Sequence, residues 1–223
     1  MSPVRGLTLT GTYAQAAVPA RYTLELGKWE DASHLEVSGE GVPWAQAITW
    51  MAVGLGSSRT KNLPRAAEAE KNLARLRDVA TEQKNAYWSS QIEVQRQEVA
   101  AWILQISGKP TEAIAAMRSA AELEESMDKS PATPGAVVPA RELLAQLLQE
   151  QGRPQDAVPE YETVLKTAPN RFNALWGAAS SAEAAGNAPV ASKYFRKLAD
   201  VGVGNERREL ETARKKAGAV ARN

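Results

Sequence analysis

Three short breakers, Gly108-Lys109-Pro110, Gly152-Arg153-Pro154 and Gly186-Asn187-Ala188-Pro189, each place a glycine where one helix can end and a proline in the first turn of another. Asn62-Leu63-Pro64 reads as the same device with Asn62 in the glycine's role, and Gly27-Lys28-Trp29 as a fifth case without the proline. A link this tight sends the chain back along the helix it has just left, so a succession of antiparallel helical hairpins is expected. The intervening residues agree, because Ala, Glu, Leu, Gln, Arg and Lys dominate and apolar positions recur at three and four. Leu143, Leu144, Leu147 and Leu148 form one such stripe, and Ala157, Tyr161, Val164 and Leu165 the next. The spacing predicts helices over 13–27, 28–37, 43–60, 63–80, 82–107, 110–128, 137–151, 154–168, 171–185, 188–201 and 205–217. The longest interruption, Asp128 to Ala136, holds Pro131, Pro134 and Gly135 and cannot continue a helix. With the break at Ser38-Gly39-Glu40-Gly41-Val42-Pro43, it reads as a loop inside one stack, a single all-α domain over residues 1–223.

Composition narrows the chemistry. With 223 residues the chain is long enough to bury a sizeable core, and 27 Lys+Arg against 26 Asp+Glu leave a net charge of +1. Such a balance supplies no field for nucleic acid or an anionic membrane. The absence of cysteine removes disulfides, thiolate metal sites, iron–sulfur clusters and a cysteine nucleophile. His34 is the only histidine, which rules out a histidine-based triad, an HExxH helix or a two-histidine metal site, and it is expected at a surface or turn. Gly54-Leu55-Gly56-Ser57-Ser58 lacks the preceding strand and the Gly-Lys-Ser/Thr ending of a phosphate loop, and reads as a glycine-loosened helix end. No catalytic, metal or cofactor site is expected, and the chain reads as a non-enzyme. Paired carboxylates stay open on sequence alone, since Glu is abundant.

Met1 to Thr10 has no apolar core of signal-peptide length, and no window approaches the roughly 20 apolar residues of a membrane span. No membrane insertion is expected. The location reads as cytoplasmic, with an extracytoplasmic one open if a leader has been removed. Arg207, Arg208, Arg214, Lys215, Lys216 and Arg222 alternate with Glu206, Glu209 and Glu211, which describes a solvated end cap rather than a nucleic-acid site. The other end is less polar: Tyr13 to Val18 is apolar and small, which suggests self-association there or a preceding segment.

Around Gly152 the spacing becomes specific. Ala145 lies between Leu144 and Leu148 on the helix before it, and Ala157, Tyr161, Val164 and Pro169 follow. Residues 138–171 resemble the tetratricopeptide (TPR) motif of about 34 residues. Residues 94–127 carry Ala101, Leu104, Ala113, Met117 and Ala120 at the matching positions, with Glu125 where the closing proline would stand. Residues 172–204 carry Ala179, Ala191, Phe195 and Leu198, again without the proline, and the resemblance over 13–80 is degenerate. Val138-Pro139-Ala140-Arg141-Glu142-Leu143-Leu144 and Ala168-Pro169-Asn170-Arg171-Phe172-Asn173 are similar to stretches of bacterial TPR proteins of unassigned function. The resemblance implies a right-handed α-α superhelix of four to five antiparallel helix pairs, a TPR-like solenoid closed by a capping helix over 205–217. Each pair would cover the apolar face of the next, leaving a concave surface lined by the first helix of each pair.

The family's offsets would place Gln95, Glu98, Trp102 and Gln105 on that surface from one pair. Glu142, Gln146 and Gln149 would come from the next, and Asn173, Trp176, Ser180 and Glu183 from the last. The Lys, Arg and Asn that hold a C-terminal carboxylate in well-known TPR peptide sites are replaced here by Glu98, Trp102, Glu142 and Gln146. The implied function is a scaffold for a protein or peptide that is neutral or basic at the groove. An accessory subunit that forms a homo-oligomer or packs on a catalytic partner is the alternative. Two readings of Trp102 and Trp176 stand side by side, packing between pairs or binding a ligand. Glu98, Glu142 and Glu183 equally suit a solvated helix face.

Overall fold

The computed structural model describes residues 9–39, 41–127, 136–204 and 206–220. These form eleven helices and, among the described residues, no strand. They are α1 (Leu9–Glu25), α2 (Trp29–Ser33), α3 (Pro43–Arg59), α4 (Leu63–Glu82), α5 (Ala86–Ile106), α6 (Pro110–Ser126), α7 (Ala140–Glu150), α8 (Pro154–Thr167), α9 (Phe172–Ala184), α10 (Ala188–Val201) and α11 (Arg208–Val220). Most of the loop expected at Asp128–Ala136, including Pro131, Pro134 and Gly135, lies outside the described residues. No helix among the described residues is long and apolar enough to cross a membrane.

Six of the helix-to-helix links are built identically. Gly27, Gly108, Gly152 and Gly186 take left-handed backbone angles, φ +63° to +77°, and so do two lysines, Lys61 (φ 62°) and Lys84 (φ 57°). In each case the next residue's N–H reaches back five positions to a helix carbonyl at 2.7–3.0 Å, for instance Arg153 to Leu148 and Asn62 to Ser57. These bonds satisfy carbonyls that the helix end would otherwise leave unpaired. Asn62 therefore does not play the glycine's part. Lys61 does, and the Asn62 side chain caps α4 by accepting the Arg65 N–H at 3.2 Å. The sixth turn, Lys84-Asn85, delays α5 to Ala86, with Asn85 accepting from the Trp88 N–H at 3.4 Å.

The chain divides into two compact units, Met1–Ala140 and Arg141–Asn223. In the first, α3, α4, α5 and α6 pack each on the next, and α3 also lies against α1, α2 and α5. Ile48, Met51, Leu55, Leu73, Leu76, Ile92 and Met117 are all buried there. Gly54 and Gly56, expected to loosen a helix end, instead sit inside α3 where it meets its neighbours. A Cβ on Gly54 would come 2.6 Å from a methyl of Val99, and one on Gly56 would come 2.6 Å from the Trp29 carbonyl oxygen. Backbone this close admits only glycine.

In the second unit α8, α9, α10 and α11 follow the same one-on-the-next order. Side-chain links join helices two apart: Glu142 to Arg171, Gln149 to Ser180, Glu162 to Tyr194, Glu183 to Lys216, and Asn173 to Arg207. The small residues Ala145, Ala157, Ala179 and Ala191 are buried, as are Tyr161 and Phe195. Tyr161 lies flat on the helix backbone at Gly177, where an added Cβ would stand 2.2 Å from its Cζ.

Candidate functional site

On α5, Trp88, Gln91, Gln95, Glu98, Trp102 and Gln105 recur at three and four and share one face. The first and fifth of these meet α3 at its two ends. The Trp44 indole stacks on Trp88 with centroids 5.1 Å apart and planes 7° apart. The Arg59 guanidinium lies 4.4 Å from the Trp102 centroid and 4.6 Å from that of Trp29. A cation held between two indoles is already engaged, and Trp102 itself is 2% exposed. Of the two readings of Trp102, this geometry is that of a packing residue.

The Trp88 end differs. Tyr13 of α1 tilts against Trp88 at 6.0 Å, and Tyr87 meets it edge-on at 5.2 Å. With Trp44, these rings converge from the starts of α3 and α5 and from α1, and all four remain partly exposed. Burial, then partly offset by Arg21 nearby, raises the Tyr13 hydroxyl pKa. The cluster was not among the residues expected to bind. Its signal in the sequence is that Trp88 extends the Gln95–Glu98–Trp102 spacing two turns upstream.

Between the two ends the α5 face turns inward. Glu98 is 1% exposed and its Oε2 has no hydrogen-bond partner. Burial, reinforced by the charge of Glu124, pushes its pKa well above the usual carboxylate range. Burial thus favours its neutral form. Gln95 also turns a buried, unpartnered Oε1 inward, while Gln91 Nε2 donates to Met127 Sδ at 3.6 Å. Gln105 is half-buried. One turn from Glu98, on another face, Glu93 is the opposite case. Burial would raise its pKa, but hydrogen bonds from Arg96, Gln97 and Arg77 hold it down to about 2.

In the second unit the expected groove residues are largely occupied by their own neighbours. Glu142 is fully buried and gripped by Arg171, with Nε to Oε2 at 2.6 Å and Nη2 to Oε1 at 2.9 Å. Tyr161 Oη donates to Gln149 Oε1 at 3.1 Å, and Gln149 Nε2 donates to Ser180 Oγ at 3.1 Å. Arg207 donates to Asn173 Oδ1 at 2.8 Å, and Lys216 pairs with Glu183. Trp176 meets Phe195 edge-on at 5.9 Å and, like Gln146, is half-buried. Of the three carboxylates expected to line a trough, two are buried and the third, Glu183, is exposed. Glu98 and Glu142 lie inside, and Glu183 is bridged to α11.

His34 follows α2 with its side chain exposed and Nδ1 2.9 Å from the Glu30 carbonyl oxygen. Beside it a cleft of about 440 Å3 is lined by Ser33, Leu35, Glu36, Val37, Trp50, Asn62 and Arg65. Its cation is engaged, since Arg65 pairs with Glu68 at 2.7 Å and lies 5.2 Å from the Trp50 centroid. Among the described residues no three of His, Asp and Glu gather as a metal site would require. Neither a scan against protein-family models nor a search of curated proteins finds a match to this chain.

Proposed function

We propose that the chain is a TPR-like helical-repeat module that binds a protein or peptide segment and carries out no reaction of its own. The consecutive helix packing within each unit, the six matching turns and the links between helices two apart support a repeat of stacked antiparallel hairpins. The observation that carries the binding role is the four-ring cluster of Tyr13, Trp44, Tyr87 and Trp88. Partly exposed aromatic groups gathered from separate helices are rigid, low-entropy contact area of the kind that dominates peptide interfaces. With the groove carboxylates buried or bridged, the ligand class becomes an extended segment offering apolar, proline or aromatic side chains to these rings.

Selection of peptides from a displayed random library against the whole protein tests this. Enriched peptides should share apolar or aromatic anchors and lose at least tenfold in affinity to Trp44→Ala/Trp88→Ala, roughly 1.4 kcal/mol. Trp88→Tyr should retain part of the binding, and circular dichroism should show both variants folded. Failure to enrich any family of peptides, or binding indifferent to the double variant, would overturn the assignment.

A further inference from the structure

Helix α1 presents one uninterrupted ridge to solvent: Ala14, Val18, Tyr22 and, just past its end, Leu26, four residues apart throughout. Val18 is 67%, Tyr22 55% and Leu26 40% exposed, three of the six exposed large hydrophobic side chains described. The opposite face, with Ala17, Ala20, Thr23 and Leu24, is buried against its own unit. A helix apolar on both faces is built to be covered on both. Its seventeen residues contain just two charges, Arg21 and Glu25, one turn apart beside the ridge and opposite in sign.

We propose that this ridge is a self-association surface and that its occupant is α1 of a second copy, running antiparallel about a two-fold axis near Tyr22. Three features select that partner. The ridge reads alike in both directions from Tyr22, with an aliphatic residue one turn to either side, so an antiparallel copy sets Val18 of each chain against Leu26 of the other. The same arrangement brings Arg21 of one copy, whose guanidinium also donates to the Ala136 carbonyl oxygen of its own chain at 3.1 Å, within a turn of Glu25 of the other on either side of the axis, a self-complementary pair of charges. A head-to-tail alternative finds no match at α11, whose thirteen residues include Arg208, Glu209, Glu211, Arg214, Lys215 and Lys216. An isologous contact closes at two copies, whereas a head-to-tail one would propagate. Lys28 Nζ, 3.0 Å from Tyr22 Oη and 4.6 Å from its ring centroid, lies over part of the Tyr22 ring, which remains exposed.

The test is sedimentation equilibrium of the full chain across a hundredfold range of concentration, with folding followed by circular dichroism. The wild type should reach a dimer, and Val18→Glu, a change at an exposed position, should shift its dissociation constant at least tenfold toward monomer. Adding Leu26→Lys to Val18→Glu should restore association, because each new carboxylate then faces a new ammonium across the axis. Within one chain positions 18 and 26 are two turns apart and do not meet. A wild type monomeric throughout, a dimer indifferent to Val18→Glu, or a double variant no better than the single one would overturn the proposal. So would binding to vesicles of anionic phospholipid, abolished by Val18→Glu, from a protein that stays monomeric.

Discussion

Arg171, at the entry to α9, holds the fully buried Glu142 of α7 in a two-pronged grip, with the two nitrogen–oxygen distances at 2.6 and 2.9 Å. Fork-on-fork geometry is the strongest arrangement a guanidinium and a carboxylate adopt. It also means that Arg171 cannot be removed alone without taking the two-pronged partner from a carboxylate inside the protein.

Arg171→Ala is accordingly expected to cost about 3–5 kcal/mol in urea unfolding, mostly through the stranded carboxylate. Replacing both residues, as in Glu142→Met/Arg171→Met, should recover most of that loss. A double-mutant cycle returning independent, additive effects would show that the pair is not coupled.

The turns supply a second expectation. Lys61 and Lys84 occupy left-handed angles that cost a side-chain-bearing residue roughly 1–2 kcal/mol and glycine almost nothing. Lys61→Gly and Lys84→Gly should each stabilise the protein by about 1 kcal/mol, seen as a rise of roughly 2–4 °C in melting temperature. Gly152→Ala should move it the other way. If the lysine changes lower the melting temperature, the turn assignment is wrong.

Much of this architecture is legible in the sequence, and the gaps have physical causes. Turns marked by Gly and Pro announce themselves, whereas Lys84 in the same conformation carries no such mark, so α5 is predicted to begin before its true start at Ala86. Asn62 draws attention as a glycine substitute although its function is to cap the following helix. The α5 stripe is readable as a periodic face, but periodicity says nothing about what covers it. Glu98 and Trp102 are thus placed on a surface that the fold encloses. The aromatic cluster escapes because Trp44 and Trp88 stand far apart in the chain and meet only when α3 and α5 lie side by side.

Glu93 and Glu98 are expected to pull the pH dependence of stability in opposite directions. Glu93 has a folded pKa lowered to about 2, so its contribution is complete above the unfolded value near 4.5 and is lost as pH falls toward 2. Glu98 has a folded pKa raised well above 4.5, so the folded state holds a proton that the unfolded state releases. Its contribution is complete below about 4.5 and is lost as pH rises, by up to roughly 1.4 kcal/mol per unit until the folded pKa is reached. Urea unfolding at pH 3, 5 and 8 should find Glu98→Gln flattening the alkaline decline and Glu93→Gln the acid one. A wild type no less stable at pH 8 than at pH 5, with Glu98→Gln unchanged, would contradict the buried neutral carboxyl.

The contact of Tyr161 with Gly177 offers the sharpest check on how closely the hairpins of the second unit nest. An added Cβ at 177 would fall 2.2–2.6 Å from three ring carbons, inside any tolerable separation. The ring is buried and its hydroxyl is tied to Gln149, so it has little freedom to retreat. Gly177→Ala should therefore destabilise by about 1–3 kcal/mol despite alanine's better helix propensity, which alone would favour the change by roughly 1 kcal/mol. Tyr161→Leu removes the obstructing carbons at its own cost of packing and the Gln149 bond. In that background Gly177→Ala should become neutral or stabilising, because only the helix propensity remains. The reversal of sign between the two backgrounds is the measurement that matters. The same penalty in both would mean that the alanine clashes elsewhere and that ring-on-backbone contact does not set the spacing of these helices.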